Sequence, residues 1–197
     1  TVVGDEAGTA ITTGDNNVLV GYASGDAITT QSNITAVGNT ALTANTSGQR
    51  GTAVGSAALA GNTTGDYNTA VGFTALQANT TASNNTAVGY ASLAANTTGA
   101  GNVALGAGSL DANTTADNST AVGYNSLSAN TTGINNTGMG AFAMITNTTG
   151  ASNVAVGYAS LAGNTTANNN TAVGYNSLTA NTTGPANTAI GQSALLS

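Results

Sequence analysis

The chain has 197 residues, of which only eight are charged: Arg50 and seven acidic side chains, which give a net charge of −6 at pH 7. A single arginine cannot form the basic surface that nucleic-acid binding requires. The lack of cysteine excludes disulfides and thiolate metal sites, and no apolar run is long enough for a membrane-spanning helix.

A 17-residue unit is repeated along the whole chain without insertion or deletion. A glycine preceded by an aliphatic residue recurs at every seventeenth residue from Gly4 to Gly191. We number positions within each unit from Thr1, so that this glycine is at position 4. Such strict spacing is typical of a solenoid, in which equivalent residues of successive turns lie above one another.

Each unit reads as one turn of a β-solenoid. Positions 1 to 3 are usually Thr-Ala-Val, which predicts a short strand. Glycine at position 4 predicts a corner where φ is positive or two backbones approach closely. These corner glycines include Gly38, Gly55, Gly72, Gly89, Gly106, Gly123, Gly140, Gly157 and Gly174. About 11.5 turns stacked about 4.8 Å apart would give a rod on the order of 55 Å long, so the predicted fold class is an all-β solenoid, a β-roll or β-helix.

Two apolar positions are predicted to fill the interior of each turn. These are the aliphatic residue at position 3 and the leucine at position 8. The predicted core is Val37, Leu42, Val54, Leu59, Val71, Leu76, Val88, Leu93, Val122, Leu127, Val156, Leu161, Val173 and Leu178. Because two side chains per turn make a thin core, we expect side-chain ladders and self-association, as a homotrimer or a comparable bundle, to add stability.

The segment Asn-Thr-Thr-Gly at positions 11 to 14 predicts a second corner, since Asn and Gly tolerate turn conformations. Position 11 carries asparagine in nine successive units: Asn45, Asn62, Asn79, Asn96, Asn113, Asn130, Asn147, Asn164 and Asn181. Stacked asparagines can form a hydrogen-bonded ladder. The same residues also form Asn-x-Ser/Thr sequons, so a row of N-glycan sites is the alternative.

The first two units differ from the rest in a coordinated way. Gly8 and Gly25 replace leucine at position 8, while Ile11 and Ile28 replace asparagine at position 11. We therefore divide the chain into residues 1–34, a transition or cap of two divergent repeats, and residues 35–197, the regular solenoid.

The strings NVALG (Asn102 to Gly106), NVAVG (Asn153 to Gly157) and the many NTAVG copies carry a resemblance. They resemble the head repeats of YadA-like trimeric autotransporter adhesins, and they are similar to repeats of phage tail-fibre proteins. The resemblance implies a left-handed β-roll of three chains on a cell surface or virion, used for attachment.

Little in the sequence points to catalysis or metal binding. Asp15, Asp66 and Asp117 share position 15 but lie three turns apart, about 14 Å along the axis, which is too far for a carboxylate dyad. The adjacent Asp5 and Glu6 could bind a cation or be a solvated pair. We predict that the chain is not an enzyme and uses no metal or other cofactor.

Two surface patterns suggest binding. Threonine dominates positions 12, 13 and 1, which raises the alternative of an ice-binding face, although neighbouring residues of a strand point to opposite sides. Position 5 carries six aromatic residues, Tyr22, Phe73, Tyr90, Tyr124, Tyr158 and Tyr175, which could bind sugars or pack against another chain.

The sequence thus favours a structural segment of an extracellular or virion fibre, a stiff and protease-resistant rod for attachment. An ice-binding or glycan-binding solenoid is one alternative, and an extracellular filament of subunits stacked end to end is another. The expected partners are copies of the same chain, and a receptor bound through other parts of the fibre. Neither nucleic-acid binding nor membrane insertion is expected.

Overall fold

A computed structural model describes residues 1–196. Its regular elements are twelve short strands, one per repeat. They are β1 (Val2–Val3), β2 (Val18–Val20), β3 (Thr35–Val37), β4 (Thr52–Val54), β5 (Thr69–Val71), β6 (Thr86–Val88), β7 (Val103–Leu105), β8 (Thr120–Val122), β9 (Thr137–Met139), β10 (Val154–Val156), β11 (Thr171–Val173) and β12 (Thr188–Ile190).

The strands form one parallel sheet in chain order, from β1 to β12. Paired residues are seventeen apart in the sequence, as where Thr52 lies opposite Thr69 and Ala53 opposite Ala70. Positions 4 to 17 carry the chain from one strand to the start of the next. The prediction of an all-β solenoid with 17-residue turns is therefore confirmed.

Glycine at position 4 ends each strand at a corner. The twelve glycines at this position have φ between 123° and 143°, a conformation that side-chain-bearing residues rarely adopt. A Cβ atom on Gly89 would lie 2.7 Å from the carbonyl carbon and oxygen of Gly106 in the next turn. Both reasons given for a corner glycine, positive φ and close backbone approach, are confirmed.

Three further positions of each regular turn are left-handed. Positions 6, 8 and 16 have φ near 50° to 63° even where the residue is not glycine, as at Ala91, Leu93 and Asn84. Asparagine, which tolerates this conformation, is common at position 16. Residues with positive φ at alternate positions, 4, 6 and 8, make the chain bend tightly enough to close a turn with one short strand.

The leucines at position 8 form the core, as predicted. Leu42, Leu59, Leu76, Leu93, Leu127, Leu161 and Leu178 are buried, and Leu110 and Met144 continue the same row. Small residues at position 7 and the alanines at position 2 pack against them.

The prediction that position 3 belongs to the core is wrong. Val37, Val54, Val71, Val88, Val122, Val156 and Val173 are half-buried or exposed, and Val71 is 36% exposed. The alanine at position 2 faces inward instead, as Ala70 and Ala87 do with 0% exposure. Because side chains alternate along a strand, an inward position 2 places positions 1 and 3 together on the outside.

The other half of the interior is polar. At position 11, each asparagine from Asn62 to Asn181 donates a side-chain N–H to the side-chain oxygen of the asparagine one turn earlier. These Nδ2–Oδ1 distances run from 2.7 Å between Asn79 and Asn62 to 3.4 Å between Asn181 and Asn164. The predicted asparagine ladder is confirmed.

A second row of buried asparagines lies at position 17. Asn85 donates from Nδ2 to the carbonyl oxygen of Gly99 (2.9 Å), and its Oδ1 accepts the backbone N–H of Asn102 (2.9 Å). The Gly99 carbonyl also accepts from Asn96 in its own turn (2.9 Å). The two rows thus share acceptors at position 14, and together they satisfy most of the polar groups that would be costly to bury alone; Asn170 Nδ2 is a buried donor without a partner among the described residues.

The first two turns belong to the same sheet but are packed differently. Leu19 occupies position 2, where later turns have alanine, and Leu19 and Ile28 are fully buried. Gly25 leaves room for them, since a Cβ there would lie 2.8 Å from a Leu19 methyl carbon. The glycine for leucine exchange therefore compensates for the larger Leu19. A cap or transition role for residues 1–34 stays a prediction.

Candidate interaction surfaces

The asparagines of the predicted sequons face the interior. From Asn45 to Asn164 they are at most 2% exposed, and the half-buried Asn181 is bonded to Asn164 and Gly184. Each amide nitrogen that would carry a sugar is a donor to a backbone carbonyl of its own turn, as in Asn113 to Ala116. A glycan on any of them would break the ladder, so the N-glycan alternative is wrong for the folded solenoid.

The acids at position 15 have a local structural role. Asp66 accepts the backbone N–H of Gln49 (2.8 Å), and Asp117 accepts that of Ala100 (2.7 Å). In each case the carboxylate binds the equivalent residue of the preceding turn. Within residues 1–196, no group of three or more metal-ligating side chains comes together.

The pair Asp5 and Glu6 lies beside Tyr22 of the next turn. A hydrogen bond with the Glu6 carboxylate and its negative charge raise the pKa of Tyr22, with smaller contributions from other causes that include Asp5. Asp111, at position 9, has a different environment: burial raises its pKa, and its Oδ1 atom has no hydrogen-bond partner. Asp111 is therefore a carboxylate that the fold disfavours in its charged form.

Four aromatic side chains form a continuous row on the outside of turns 8 to 11, which we call the aromatic ridge: Tyr124, Phe142, Tyr158 and Tyr175. The ring centroid of Phe142 lies 5.4 Å from that of Tyr124 and 5.6 Å from that of Tyr158, and both pairs are edge to face. Tyr158 and Tyr175 are stacked at 5.4 Å. Phe142 lies at position 6 and fills the gap that Ala141 leaves at position 5, so it connects Tyr124 with Tyr158. The aromatic residues at position 5 alone do not predict this connection.

The ring geometry bears on the predicted sugar stripe. In the stacked pairs Tyr158–Tyr175 and Phe73–Tyr90, the planes are within 12° of parallel. One face of each ring is therefore covered by its neighbour. A sugar, which stacks on an open ring face, would have only the uncovered faces of these rings.

The outward side chains of the strands make a second surface, which we call the sheet face. It consists of position 1, mostly threonine, and position 3, mostly valine, on the outer side of β1 to β12. The sequence Thr-Ala-Val is identical in the four successive strands β3, β4, β5 and β6. No residue at positions 1 or 3 is charged.

The threonine hydroxyls differ sharply between positions. At position 12, the Oγ1 atom donates to the carbonyl oxygen one turn later, as from Thr80 to Thr97 (3.1 Å) and from Thr97 to Thr114 (3.0 Å). At position 1, the hydroxyls of Thr35, Thr52 and Thr69 make no hydrogen bond to other groups of the described chain. The sheet face thus presents free hydroxyls, whereas position 12 uses its hydroxyls inside the fold.

The fold and these surfaces define the chain as a β-solenoid repeat protein. Comparison with protein-family models, with curated proteins and with solved structures gives no match. Among residues 1–196 there is no helix of the length and hydrophobicity needed to cross a membrane.

Proposed function

We propose that the chain is the rod-forming segment of an extracellular or virion fibre and has a structural role in attachment rather than an enzymatic one. The observation that carries the proposal is the self-matching interior: leucine lies on leucine and asparagine bonds to asparagine through successive turns. A structure in which each turn contacts only equivalent turns supplies length and stiffness.

The proposal includes lateral self-association, for which a homotrimer is the simplest form. The aromatic ridge is contiguous, and three of its four rings (Tyr124, Tyr158 and Tyr175) are exposed; such a row marks an interaction surface more strongly than scattered apolar residues do. A second copy of the chain has the same repeat of about 4.8 Å along its axis. Rings of one copy could therefore lie against equivalent positions of another copy at every level of the ridge.

Resistance to proteases is consistent with this role. Arg50 is the single site in the sequence at which a trypsin-like protease could cut. Many backbone groups are also hydrogen-bonded to the neighbouring turns, as from Leu93 N–H to the Ser109 carbonyl (3.0 Å), and are not free to enter a protease active site.

Electron microscopy combined with light scattering tests the proposal. We expect rods about 50 to 55 Å long with a mass that is a multiple of 18.7 kDa. Tyr158→Ser, which removes the ring between Phe142 and Tyr175, should reduce the mass to that of one chain. Tyr67→Ser is the matched control, because Tyr67 is similarly exposed but lies at position 16, off the ridge. Compact particles, or a monomer mass for the unmodified chain, would contradict the rod and the self-association respectively.

A further inference from the structure

The part of the sheet face formed by β3 to β6 is a regular two-dimensional grid. Identical Thr-Ala-Val strands stack in register, with Thr35 opposite Thr52 and Val37 opposite Val54. Strands repeat about every 4.8 Å, and positions 1 and 3 of a strand are about 6.6 Å apart in a parallel sheet. The grid therefore has one hydroxyl row and one parallel methyl row, with the same spacing in each turn.

The chemistry of this grid favours ordered water over other ligands. Its hydroxyls have no partner within residues 1–196 and can each bind water, while the neighbouring methyl groups cannot hydrogen-bond and leave the adjacent water to bond with itself. No charged group lies in the grid. A charged side chain would hold water molecules around itself and disturb an ice-like arrangement. An uncharged grid avoids this disturbance.

The strand spacing of the grid is near one repeat of oxygen atoms on a prism face of ice, and the separation of its two rows is somewhat shorter than the other repeat. Water held by the threonine hydroxyls over the methyl row would therefore lie near lattice positions before contact with a crystal. Water-mediated contacts of this kind are nearly as favourable as direct hydrogen bonds.

We infer that the outward side chains of β3 to β6 form an ice-binding surface. Binding depends on positions 1 and 3, not on the threonines of position 12, whose hydroxyls are used between turns. The inference goes beyond the rod function and does not depend on it, because the aromatic ridge proposed for self-association lies at positions 5 and 6 of turns 8 to 11.

Thermal hysteresis and inhibition of ice recrystallisation test the inference on the full chain. We expect the unmodified protein to shape ice crystals and to produce hysteresis that rises with protein concentration. Thr69→Tyr places a bulky ring in the middle of the grid and should reduce hysteresis several-fold. Thr81→Tyr is the matched control, because Thr81 is an exposed threonine of the same turn at position 13, and it should leave hysteresis unchanged.

Circular dichroism and thermal melting check that each variant is folded. If Thr69→Tyr does not fold, Val71→Lys replaces it, since Val71 is partly exposed and a lysine there brings a charge into the grid. Absence of ice shaping by the unmodified protein would overturn the inference, and so would equal losses in the grid variant and the Thr81 control. Neither result bears on rod length or mass, which microscopy and light scattering measure separately.

Discussion

Replacing Asn96 by aspartate should make the stability of the solenoid strongly dependent on pH. Asn96 donates to Asn79 Oδ1 (3.0 Å) and to the Gly99 carbonyl (2.9 Å), and it accepts from Asn113 (2.8 Å). Aspartate has almost the same shape, but when ionised it has no donor. Asn79 Oδ1 would then lose the one side-chain donor that it has among residues 1–196, whereas the Gly99 carbonyl keeps a second donor, Asn85 at position 17.

The magnitude follows from these contacts. A buried acceptor left unsatisfied costs about 1 to 3 kcal/mol, and the lost bond to Gly99 about 1 kcal/mol. Burial among carbonyl oxygens disfavours the charged carboxylate; a rise of about three pKa units is typical of deep burial, and each unit is worth about 1.4 kcal/mol. These costs do not simply add, because a carboxyl that becomes protonated can again donate to Asn79 Oδ1. We therefore expect the free energy of unfolding to fall by about 4 to 5 kcal/mol at neutral pH.

The sign of the pH dependence distinguishes this explanation from simple damage to the core. Below the unfolded-state pKa of about 3.9, the introduced carboxyl is protonated in both states and can again donate to Asn79. Stability should therefore be within about 1 kcal/mol of the unmodified protein there, and it should fall as the pH rises through the folded-state pKa.

Urea unfolding followed by circular dichroism, at acidic and at neutral pH, measures both differences. Asn39→Asp is the control, because Asn39 is exposed and its side chain makes no hydrogen bond to the described chain; it should change stability little at either pH. An equal loss for Asn96→Asp at both pH values would refute the ladder as the cause.

Three further variants test other parts of the fold by the same unfolding measurement. Gly89→Ala should cost about 3 kcal/mol or more, because it combines positive φ with a backbone clash. Gly51→Ala should cost little, because a Cβ there would lie no closer than 3.6 Å to any neighbour; equal costs would contradict this reasoning. Leu93→Ala should lower the free energy of unfolding by about 2 to 5 kcal/mol, and Val88→Ala should lower it clearly less. The reverse order would indicate that the valines at position 3 belong to the core. Asp111→Asn should raise the free energy of unfolding at neutral pH and change it little at about pH 3. The reason is that burial raises the pKa of Asp111 and penalises only its charged form. An effect of equal size at both pH values would argue against burial as the cause.

The repeat made much of this fold predictable. Strict spacing of Gly89 and its equivalents fixed the turn length, and a leucine at one position in each turn, such as Leu93, identified half of the interior. The prediction that Val88 and not Ala87 faces inward is wrong, because it places the larger apolar residue of the strand in the core. Only one of two adjacent strand residues can face inward, and the space beside the leucine row accommodates alanine.

Other features had weaker signals. The second asparagine row could have been found, since residues such as Asn85 and Asn102 recur at position 17. The left-handed conformation of Leu93 could not be read from leucine itself, which rarely adopts it. The only trace in the sequence is the glycine at the same position in the first two turns, Gly8 and Gly25. The link through Phe142 depends on side-chain reach between positions, which a comparison of single positions does not reveal.

The seventeen-residue register makes the length of this protein adjustable in fixed steps. Removal of residues 86–102 would bring β5 beside β7, with Ala70 opposite Ala104 and each ladder position still opposite its equivalent. The rod would shorten by one strand spacing, about 4.8 Å. A deletion whose length is not a multiple of seventeen would instead place unlike positions of the repeat opposite each other. Gain or loss of whole repeats in the gene would therefore change the length of the rod in steps of about 4.8 Å.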